Sequence, residues 1–155
     1  MNQNDKMSKI HFVGGWSVLG MELKVCESFN PVSEKWTRLA DLHQRRAFLG
    51  LASLSGNLYA VGGSNDTDGA LNSVERFDVK LGAWIVITPL DSPRAGLSVA
   101  VNQECLYVIG GRTASGEFTP PVTMTAIDVY DTKTNKWEHV TDLSFSRCEF
   151  GIGII

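Results

Sequence analysis

The chain has 155 residues, of which 43% are hydrophobic and 20% charged, and this is the composition of one ordinary globular domain. Its 14 Lys and Arg against 17 Asp and Glu give a formal charge of −3, and because no run of like charge occurs, we expect binding to neither nucleic acid nor an anionic membrane. Its apolar stretches fall well short of the ~20 residues of a membrane-spanning helix.

The predicted elements are short β-strands, and they begin after a polar tail. Residues 1–7 lead into no signal-peptide core, so we expect a cytoplasmic protein. A first set of strands occupies 8–42 and opens with an apolar segment at Ile10–Val13. Because the apolar segments are short, are divided by turn residues and show no helical period, the pattern predicts antiparallel strands.

A second set, at 43–90, shows this pattern most clearly. Its segments are separated by turn residues, such as those at 55–57, that accept positive φ. The four segments are 47–54, 58–61, 73–79 and 83–87. A third set at 91–143 repeats the order with an enlarged loop at 113–123, and the tail at 144–155 has the sequence of a further first strand. Insertions in repeat proteins fall on loops, often at the binding face.

Glycine pairs, tryptophans and arginines recur at fixed spacing through the three sets. The glycine pairs lie 48 residues apart, and the tryptophans and the arginines are separated by 48 and then by 53 residues. The repeated positions are Gly14, Gly15, Gly62, Gly63, Gly110, Gly111, Trp36, Trp84, Trp137, Arg46, Arg94 and Arg147. A period of about 50 residues with four strands in each period is typical of the blades of a β-propeller.

The chemistry of the repeated positions suggests their roles. A glycine pair at the end of a strand permits positive φ and a close approach of neighbouring chain. We expect Tyr59, Tyr107 and the three tryptophans to fill the space between adjacent blades. The repeated carboxylates are Glu27, Glu75 and Asp128. They fit a hydrogen bond repeated in each blade. The arginines fit a repeated ion pair, a contact with loop carbonyls, or contact with a ligand.

Several of these segments together resemble a known repeat family. A tyrosine precedes the glycine pair by three residues, a glutamate and an aromatic residue lie in the third strand, and a tryptophan and an arginine follow. The segments are Leu58-Tyr59-Ala60-Val61-Gly62-Gly63, Leu106-Tyr107-Val108-Ile109-Gly110-Gly111 and Val74-Glu75-Arg76-Phe77-Asp78, with Trp84 and Arg94. This pattern resembles the kelch repeat over 8–155, although the first set has His11 where the tyrosine is expected. The resemblance implies an all-β kelch β-propeller.

The predicted strands number twelve, which is the content of three four-stranded blades. The first set supplies three strands, the second and third supply four each, and the tail at 147–155 supplies one. Since propellers close with four to eight blades, we expect an incomplete ring. The chain is then either an excerpt of a longer kelch protein, which the abrupt ends favour, or one half of a six-bladed homodimer.

The sequence shows no pattern that predicts catalysis or metal binding. The histidines and cysteines fall in different repeats and lack the spacing of metal ligands. They are His11, His43, His139, Cys26, Cys105 and Cys148. No nucleophile elbow occurs, and although some kelch-like propellers are copper oxidases or sugar-modifying enzymes, the residues match no copper or radical site. We expect no enzymatic activity, no metal and no cofactor.

The resemblance implies a protein-binding surface at one end of the blades. In the kelch domains of cullin-type ubiquitin ligase adaptors, a partner peptide binds two sets of residues in each repeat: those just after the glycine pair, and the residue two positions after the repeat arginine. The matching residues are Trp16, Ser64, Asn65, Arg112, Thr113, Phe48, Gly96 and Glu149. Arg112 is the foremost candidate because a guanidinium beside a wide loop can bind both oxygens of a carboxylate. A solvated loop arginine is the alternative.

Recognition of a protein or peptide, with an acidic segment as the favoured ligand, is therefore the predicted function. The resemblance is strongest to kelch-like adaptors, which present substrates to cullin-3 ubiquitin ligases through BTB and BACK domains that lie outside this sequence. Actin binding by a cytoskeletal kelch protein is the first alternative, and a sugar-modifying propeller enzyme is the second.

Overall fold

The computed structural model describes residues 8–114 and 120–154, so the predicted tail at 1–7 and the centre of the enlarged loop lie outside the described residues. The described residues form thirteen β-strands. They are β1 (Ile10–Val13), β2 (Cys26–Asn30), β3 (Lys35–Arg38), β4 (Gly50–Leu54), β5 (Asn57–Val61), β6 (Ser64–Asn65), β7 (Gly69–Ala70), β8 (Val74–Asp78), β9 (Ala83–Ile87), β10 (Ser98–Asn102), β11 (Cys105–Ile109), β12 (Ala126–Asp131) and β13 (Lys136–Asp142).

Three antiparallel sheets follow one another along the chain, one for each predicted repeat. Their strand orders are β1-β2-β3, β4-β5-β8-β9 and β10-β11-β12-β13, and we call them blades 1, 2 and 3. A two-stranded hairpin of β6 and β7 lies in the loop of blade 2. No helix within 8–114 and 120–154 has both the length and the apolar character needed to cross a membrane.

The strand register gives each blade two different faces. In blade 2, Leu58, Phe77 and Trp84 are paired across β5, β8 and β9, and because side chains alternate along a strand, Tyr59 and Val61 lie on the opposite side. We call these the tryptophan face and the tyrosine face. The tryptophan face holds Ile10, Phe29 and Trp36 in blade 1 and Leu106, Tyr130 and Trp137 in blade 3.

The blades stack with the tryptophan face of one against the tyrosine face of the one before it. Between blades 1 and 2, the buried cluster comprises Cys26, Leu42, Leu58, Ala60, Phe77 and Trp84, with Val13 packed against it. Between blades 2 and 3, it includes Tyr59, Val61, Val74, Leu106, Val108 and Tyr130. Burial raises the pKa of the Cys26 thiol to about 11, because an apolar core disfavours the charged thiolate.

Two predicted core positions face outward. Trp36 is 56% exposed because it lies on the tryptophan face of blade 1, and no described blade packs there. Its ring packs against Phe12 and Phe29 of its own blade, at ring-centroid distances of 5.0 Å. Tyr107 is partly exposed on the tyrosine face of blade 3 for the same reason. For these two residues, the expectation that repeated aromatic side chains fill the space between blades stays a prediction, because no described blade lies against either face.

The segment predicted as a twelfth strand is not a strand within the described residues 147–154. A strand needs a ladder partner, and no described strand pairs with this segment. The predicted first strand at 47–54 is also shorter, since β4 begins at Gly50. Residues 47–49 form loop contacts instead, including the bridge between Ala47 and Ser64.

Candidate functional site

The glycine pairs fix the loops at one end of the blades. Gly62 and Gly63 have φ values of 57° and 99°, and a Cβ atom on Gly62 would lie 2.5 Å from the carbonyl oxygen of Arg94. Each glycine pair also binds the segment of chain that leads into the next blade. The amides of Gly15, Gly63 and Gly111 each donate to the backbone carbonyl of a repeat arginine at 2.9 Å. Those carbonyls belong to Arg46, Arg94 and Arg147. The pairs therefore hold consecutive blades together at this end.

Two of the repeat arginines are buried in ion pairs within their own blade. Arg46 is 0% exposed; its Nη1 donates to the carbonyl oxygens of Gly62 and Ser73 at 2.9 and 3.0 Å, and its Nη2 to Glu75 at 2.8 Å. Arg94 donates to Asp128 at 2.6 Å. Burial lowers the pKa of the Arg46 guanidinium below its ordinary value, and the neighbouring Glu75 carboxylate offsets part of that effect. These two side chains hold the end of the blade in place and are closed to a ligand.

Four of the predicted binding residues meet at one point beside the glycine pairs. Trp16 and Phe48 pack edge to face with their ring centroids 6.1 Å apart. The guanidinium carbon of Arg112 lies 5.4 Å from the centroid of Phe48, and Arg112 Nη2 donates to Glu149 at 2.8 Å. Trp16 and Phe48 remain 47% and 38% exposed. We call these four residues the loop-end cluster; they come from all three repeats and from the tail.

A backbone ribbon supports the cluster. Phe48, Gly96 and Glu149 occupy equivalent positions in successive repeats, with φ values of 53°, 62° and 54°. The amide of Gly96 donates to the carbonyl of Phe48 at 2.8 Å, and the amide of Glu149 donates to that of Gly96 at 2.7 Å. A bulky side chain rarely adopts positive φ, so the fold holds Phe48 in a strained conformation that presents its ring at the surface. Such strain is concentrated at functional sites.

The remaining predicted binding residues are occupied within the fold. The side-chain oxygen of Asn65 accepts hydrogen bonds from the backbone amides of Thr67 and Asp68. Its side-chain nitrogen donates to the carbonyl of Arg45 at 3.1 Å. Ser64 bridges to Ala47. Thr113 Oγ1 accepts the amide of Val122 at 2.9 Å, which closes the base of the enlarged loop. Gly96 contributes only backbone. These residues shape the loops, and their side chains are not grouped with the loop-end cluster.

Sequence reasoning missed two features of this site. The first is the positive φ of Phe48. Gly96 occupies the equivalent position in the next repeat, and a glycine there was the signal that the backbone has positive φ at this position. The second is the ion pair between Arg112 and Glu149, which left no signal in the sequence because these residues lie 37 positions apart in different repeats.

Within 8–114 and 120–154, no three His, Cys, Asp or Glu side chains form a group that could hold a metal ion. The exposed His43 and His139 rings lie against Glu75 and Asp128.

Comparison with known proteins places this geometry in a family. The Kelch motif matches residues 45–90 and 93–144. Kelch-like protein 7 of Rattus norvegicus is 32% identical over 123 residues, which are 79% of this chain and 20% of that protein. Kelch repeat and BTB domain-containing protein 13 of Homo sapiens is 31% identical over 148 residues, 91% of this chain and 30% of that protein. The chain therefore spans less than a third of the length of these relatives.

A solved structure shares the architecture. The structure of YjhT superposes with a TM-score of 0.71 and 17% sequence identity over 81% of this chain and 46% of that one. At this identity the likeness concerns the fold alone. Together with the motif matches, it confirms the prediction of an all-β chain of four-stranded antiparallel blades that form part of a propeller.

Proposed function

The chain belongs to the kelch-repeat family, and from that membership we propose that it is a protein-interaction module that binds its partner through the loop-end cluster. The observation that carries the proposal is the convergence of two half-exposed aromatic rings with a guanidinium and a carboxylate. Aromatic and arginine side chains contribute most of the binding energy of protein interfaces. The cluster stands on a rigid scaffold, which keeps the entropic cost of binding low.

The chemistry of the cluster favours a partner segment in which an apolar side chain lies next to a carboxylate. The exposed faces of Trp16 and Phe48 offer apolar surface. Arg112 is held in part by Glu149, which is itself half exposed. A partner carboxylate would replace Glu149 as the acceptor, and the released Glu149 would be hydrated at little cost because it already contacts water.

We propose further that this recognition selects substrates for a cullin-RING ubiquitin ligase, in the cytoplasm and without a catalytic step in this chain. The support is the similarity to Kelch-like protein 7 and to a protein whose name includes a BTB domain. In that arrangement the kelch repeats bind the substrate and other domains bind cullin-3. The kelch resemblance equally allows actin as the bound protein, and this is the second candidate.

The proposal is tested by selecting peptides from a phage-display library on the wild-type chain, with Phe48→Gly as the counter-selection. We expect peptides that combine an aromatic or aliphatic residue with Asp or Glu. Arg112→Ala should weaken their binding by about 2 kcal/mol, roughly thirtyfold, because it removes the charged partner of the peptide carboxylate. Glu149→Gln should strengthen binding, since it releases the guanidinium. Isothermal titration measures both changes.

Arg45→Ala is the matched control, because Arg45 is an exposed arginine outside the loop-end cluster. Peptides that bind wild type and Arg112→Ala equally would remove Arg112 from the site. If counter-selection on Phe48→Gly removed every peptide that binds the wild-type chain, the loop-end cluster would not be the binding surface. Co-sedimentation of the chain with actin filaments, abolished by Phe48→Gly, would support the cytoskeletal candidate over the ligase candidate.

A further inference from the structure

A cleft between blades 2 and 3 contains an arginine that neither the blade scaffold nor the loop-end cluster uses. We call it the interblade cleft; its volume is about 260 Å³. Blade 2 contributes Tyr59, Arg76 and Ile87 to its lining, and blade 3 contributes Tyr130, Thr132 and Asn135. Tyr59 and Tyr130 also belong to the buried cluster that joins these two blades, so the cleft is part of an interface whose two sides are both four-stranded blades.

The interblade cleft lies at the end of the blades opposite the loop-end cluster. The amide of Gly110, in a glycine pair, donates to the carbonyl of Ala126 at the start of β12, at 2.9 Å. Thr132 and Asn135 lie in the turn beyond the other end of that strand. A ligand in the cleft would therefore leave the proposed protein-binding surface free, and the two sites can be tested separately.

Arg76 is not a repeated residue of the blades. It pairs with Tyr59 across β5 and β8, on the tyrosine face of blade 2. The equivalent position holds Ser28 in blade 1 and Val129 in blade 3. Because a serine and a valine serve there, the blade fold does not require a guanidinium. A charged side chain partly withdrawn from water is costly, so Arg76 needs a reason other than the fold.

The described residues satisfy the guanidinium of Arg76 only in part. Its side chain is 32% exposed, yet its Nε is shielded from water and has no hydrogen-bond partner among them. Its Nη2 lies 3.4 Å from Asp78 Oδ2, which is longer than the ~2.7–2.9 Å of a strong charge-assisted bond. Asp78 Oδ1 accepts the amides of Lys80 and Leu81, so its own turn holds this carboxylate. Arg76 therefore retains donors for an acceptor in the cleft.

Neutral donors and apolar walls surround this guanidinium. Burial raises the pKa of the Tyr59 and Tyr130 hydroxyls, and Arg76 offsets part of the effect at each, so both stay protonated at neutral pH. Tyr130 donates to Asn135 Oδ1 at 2.6 Å, and the NH2 group of the same amide remains a donor. The two phenol rings, with centroids 6.3 Å apart, and Ile87 supply apolar surface.

The charges around the interblade cleft favour a ligand with one negative charge. Arg76 is the single cation among the lining residues, and Asp78 lies beside it. A phosphate monoester carries close to two negative charges at neutral pH and would meet one positive charge and a neighbouring carboxylate. A carboxylate carries one charge and matches the planar guanidinium. The volume is below the ~300–1,000 Å³ of pockets for drug-sized ligands, which limits the ligand to a small molecule.

We propose that the interblade cleft binds a small organic carboxylate. Arg76 donates to the two carboxylate oxygens, and the Tyr59 hydroxyl and the Asn135 amide are further donors. The apolar part of the ligand lies against Ile87 and the phenol rings. This site is independent of the proposed protein-binding function, because it shares no residue with the loop-end cluster.

NMR of the ¹⁵N-labelled 155-residue chain, titrated with sodium benzoate as the probe, tests the site. The Nε–H groups of Arg46, Arg76 and Arg94 are all shielded from water, so each should give a resonance protected from exchange. We expect the Arg76 resonance to shift with a Kd of about 1 mM or below. Those of Arg46 and Arg94, which are buried at the opposite end, should stay fixed. Benzamide, the neutral analogue, and inorganic phosphate should cause no saturable shift at the same concentrations.

Variants locate the binding through the side-chain amide resonance of Asn135. Arg76→Met should raise the Kd for benzoate at least tenfold, because it removes the charged donor, and Tyr59→Phe should raise it severalfold. Arg112→Met is the matched control, since it removes an arginine of the loop-end cluster, and it should bind benzoate as the wild type does. The backbone amide spectrum of each variant checks that it is folded.

The wild-type titration needs no variant and can overturn the proposal alone. It does so if the Arg76 resonance stays fixed up to about 20 mM benzoate, far above the expected Kd, or if benzamide or phosphate binds as tightly as benzoate. A folded Arg76→Met with an unchanged Kd would also overturn it. So would loss of benzoate binding in Arg112→Met, because the probe would then report the loop-end cluster.

Discussion

Arg46 is the residue on which the end of blade 2 depends most. Its guanidinium is fully buried and bonds two carbonyls, a hydroxyl and the Glu75 carboxylate. Removing one partner of a buried ion pair leaves the other charge without compensation. The adjacent Arg45 is exposed, so the chain offers two neighbouring arginines in opposite environments.

Arg46→Met should lower the free energy of unfolding by about 3–5 kcal/mol, because the methionine fills the space but takes the guanidinium away from the buried Glu75 carboxylate, which keeps only its contacts with His43 and Gln44. Arg45→Met, measured in the same urea titration, should change it by less than about 0.5 kcal/mol. Equal losses in the two variants would contradict the structural role of the repeat arginine.

Phe48 allows backbone strain and side-chain function to be separated. Its φ of 53° is shared with the equivalent Gly96 at 62°, where glycine carries no steric penalty. Phe48→Gly should therefore be more stable than Phe48→Ala by about 1 kcal/mol, which reverses the usual preference for alanine. Thermal denaturation of the two variants measures the difference. If Phe48→Ala were the more stable, the strain argument would be wrong.

At the scale of the elements, equivalent residues contribute different amounts to the free energy of unfolding, because the blades have different neighbours. Trp84 is 4% exposed between blades 1 and 2, whereas the equivalent Trp36 is 56% exposed. Sequence position alone would give them the same role. Burial against a neighbouring blade decides how much of each indole surface leaves water.

Trp84→Ala should cost about 3–5 kcal/mol of stability, since it opens a cavity between two blades and removes the bond to Ala40. Trp36→Ala should cost less than half as much, because more than half of that side chain already contacts water. Guanidinium denaturation provides the comparison. A loss below about 0.5 kcal/mol for Trp84→Ala would contradict its assignment to the core.

The sequence predicted the strands well where pairing is local. The segments at Ile10–Val13 and Ala83–Ile87 were predicted at their observed bounds, because apolar runs between turn residues leave few alternatives. The small hairpin of β6 and β7 was missed, since each strand has only two residues and no apolar pattern. The start of β4 was placed too early because Ala47 is apolar but bonds to the loop strand of Ser64.

The candidate site was predicted less completely than the blades. The resemblance to kelch adaptors predicted Trp16, Phe48, Arg112 and Glu149, whose side chains lie together in the structure. It also predicted Asn65, whose amide is used in its own turn. Which side chains touch depends on how the blades are stacked. That arrangement is set by the glycine pairs and buried arginines acting between segments about 50 residues apart, and no local pattern encodes the resulting distances.

At the scale of the whole molecule, the blades lie one after another, and the loop-end cluster is the proposed surface for a protein partner. Stability comes from apolar packing between consecutive blades and from the arginine that enters each blade. Binding is assigned to the loop-end cluster, which lies apart from those interfaces. Changes in the cluster should therefore alter affinity without altering the stacking of blades.

The four tryptophans report on these regions separately, so ¹⁹F NMR of the chain labelled with 5-fluorotryptophan, titrated with a selected peptide, tests this division most directly. We expect the Trp16 resonance to shift with peptide concentration while those of the buried Trp84 and the partly buried Trp137 stay fixed. A peptide that saturates the protein and shifts Trp84 or Trp137 but leaves Trp16 unchanged would contradict it.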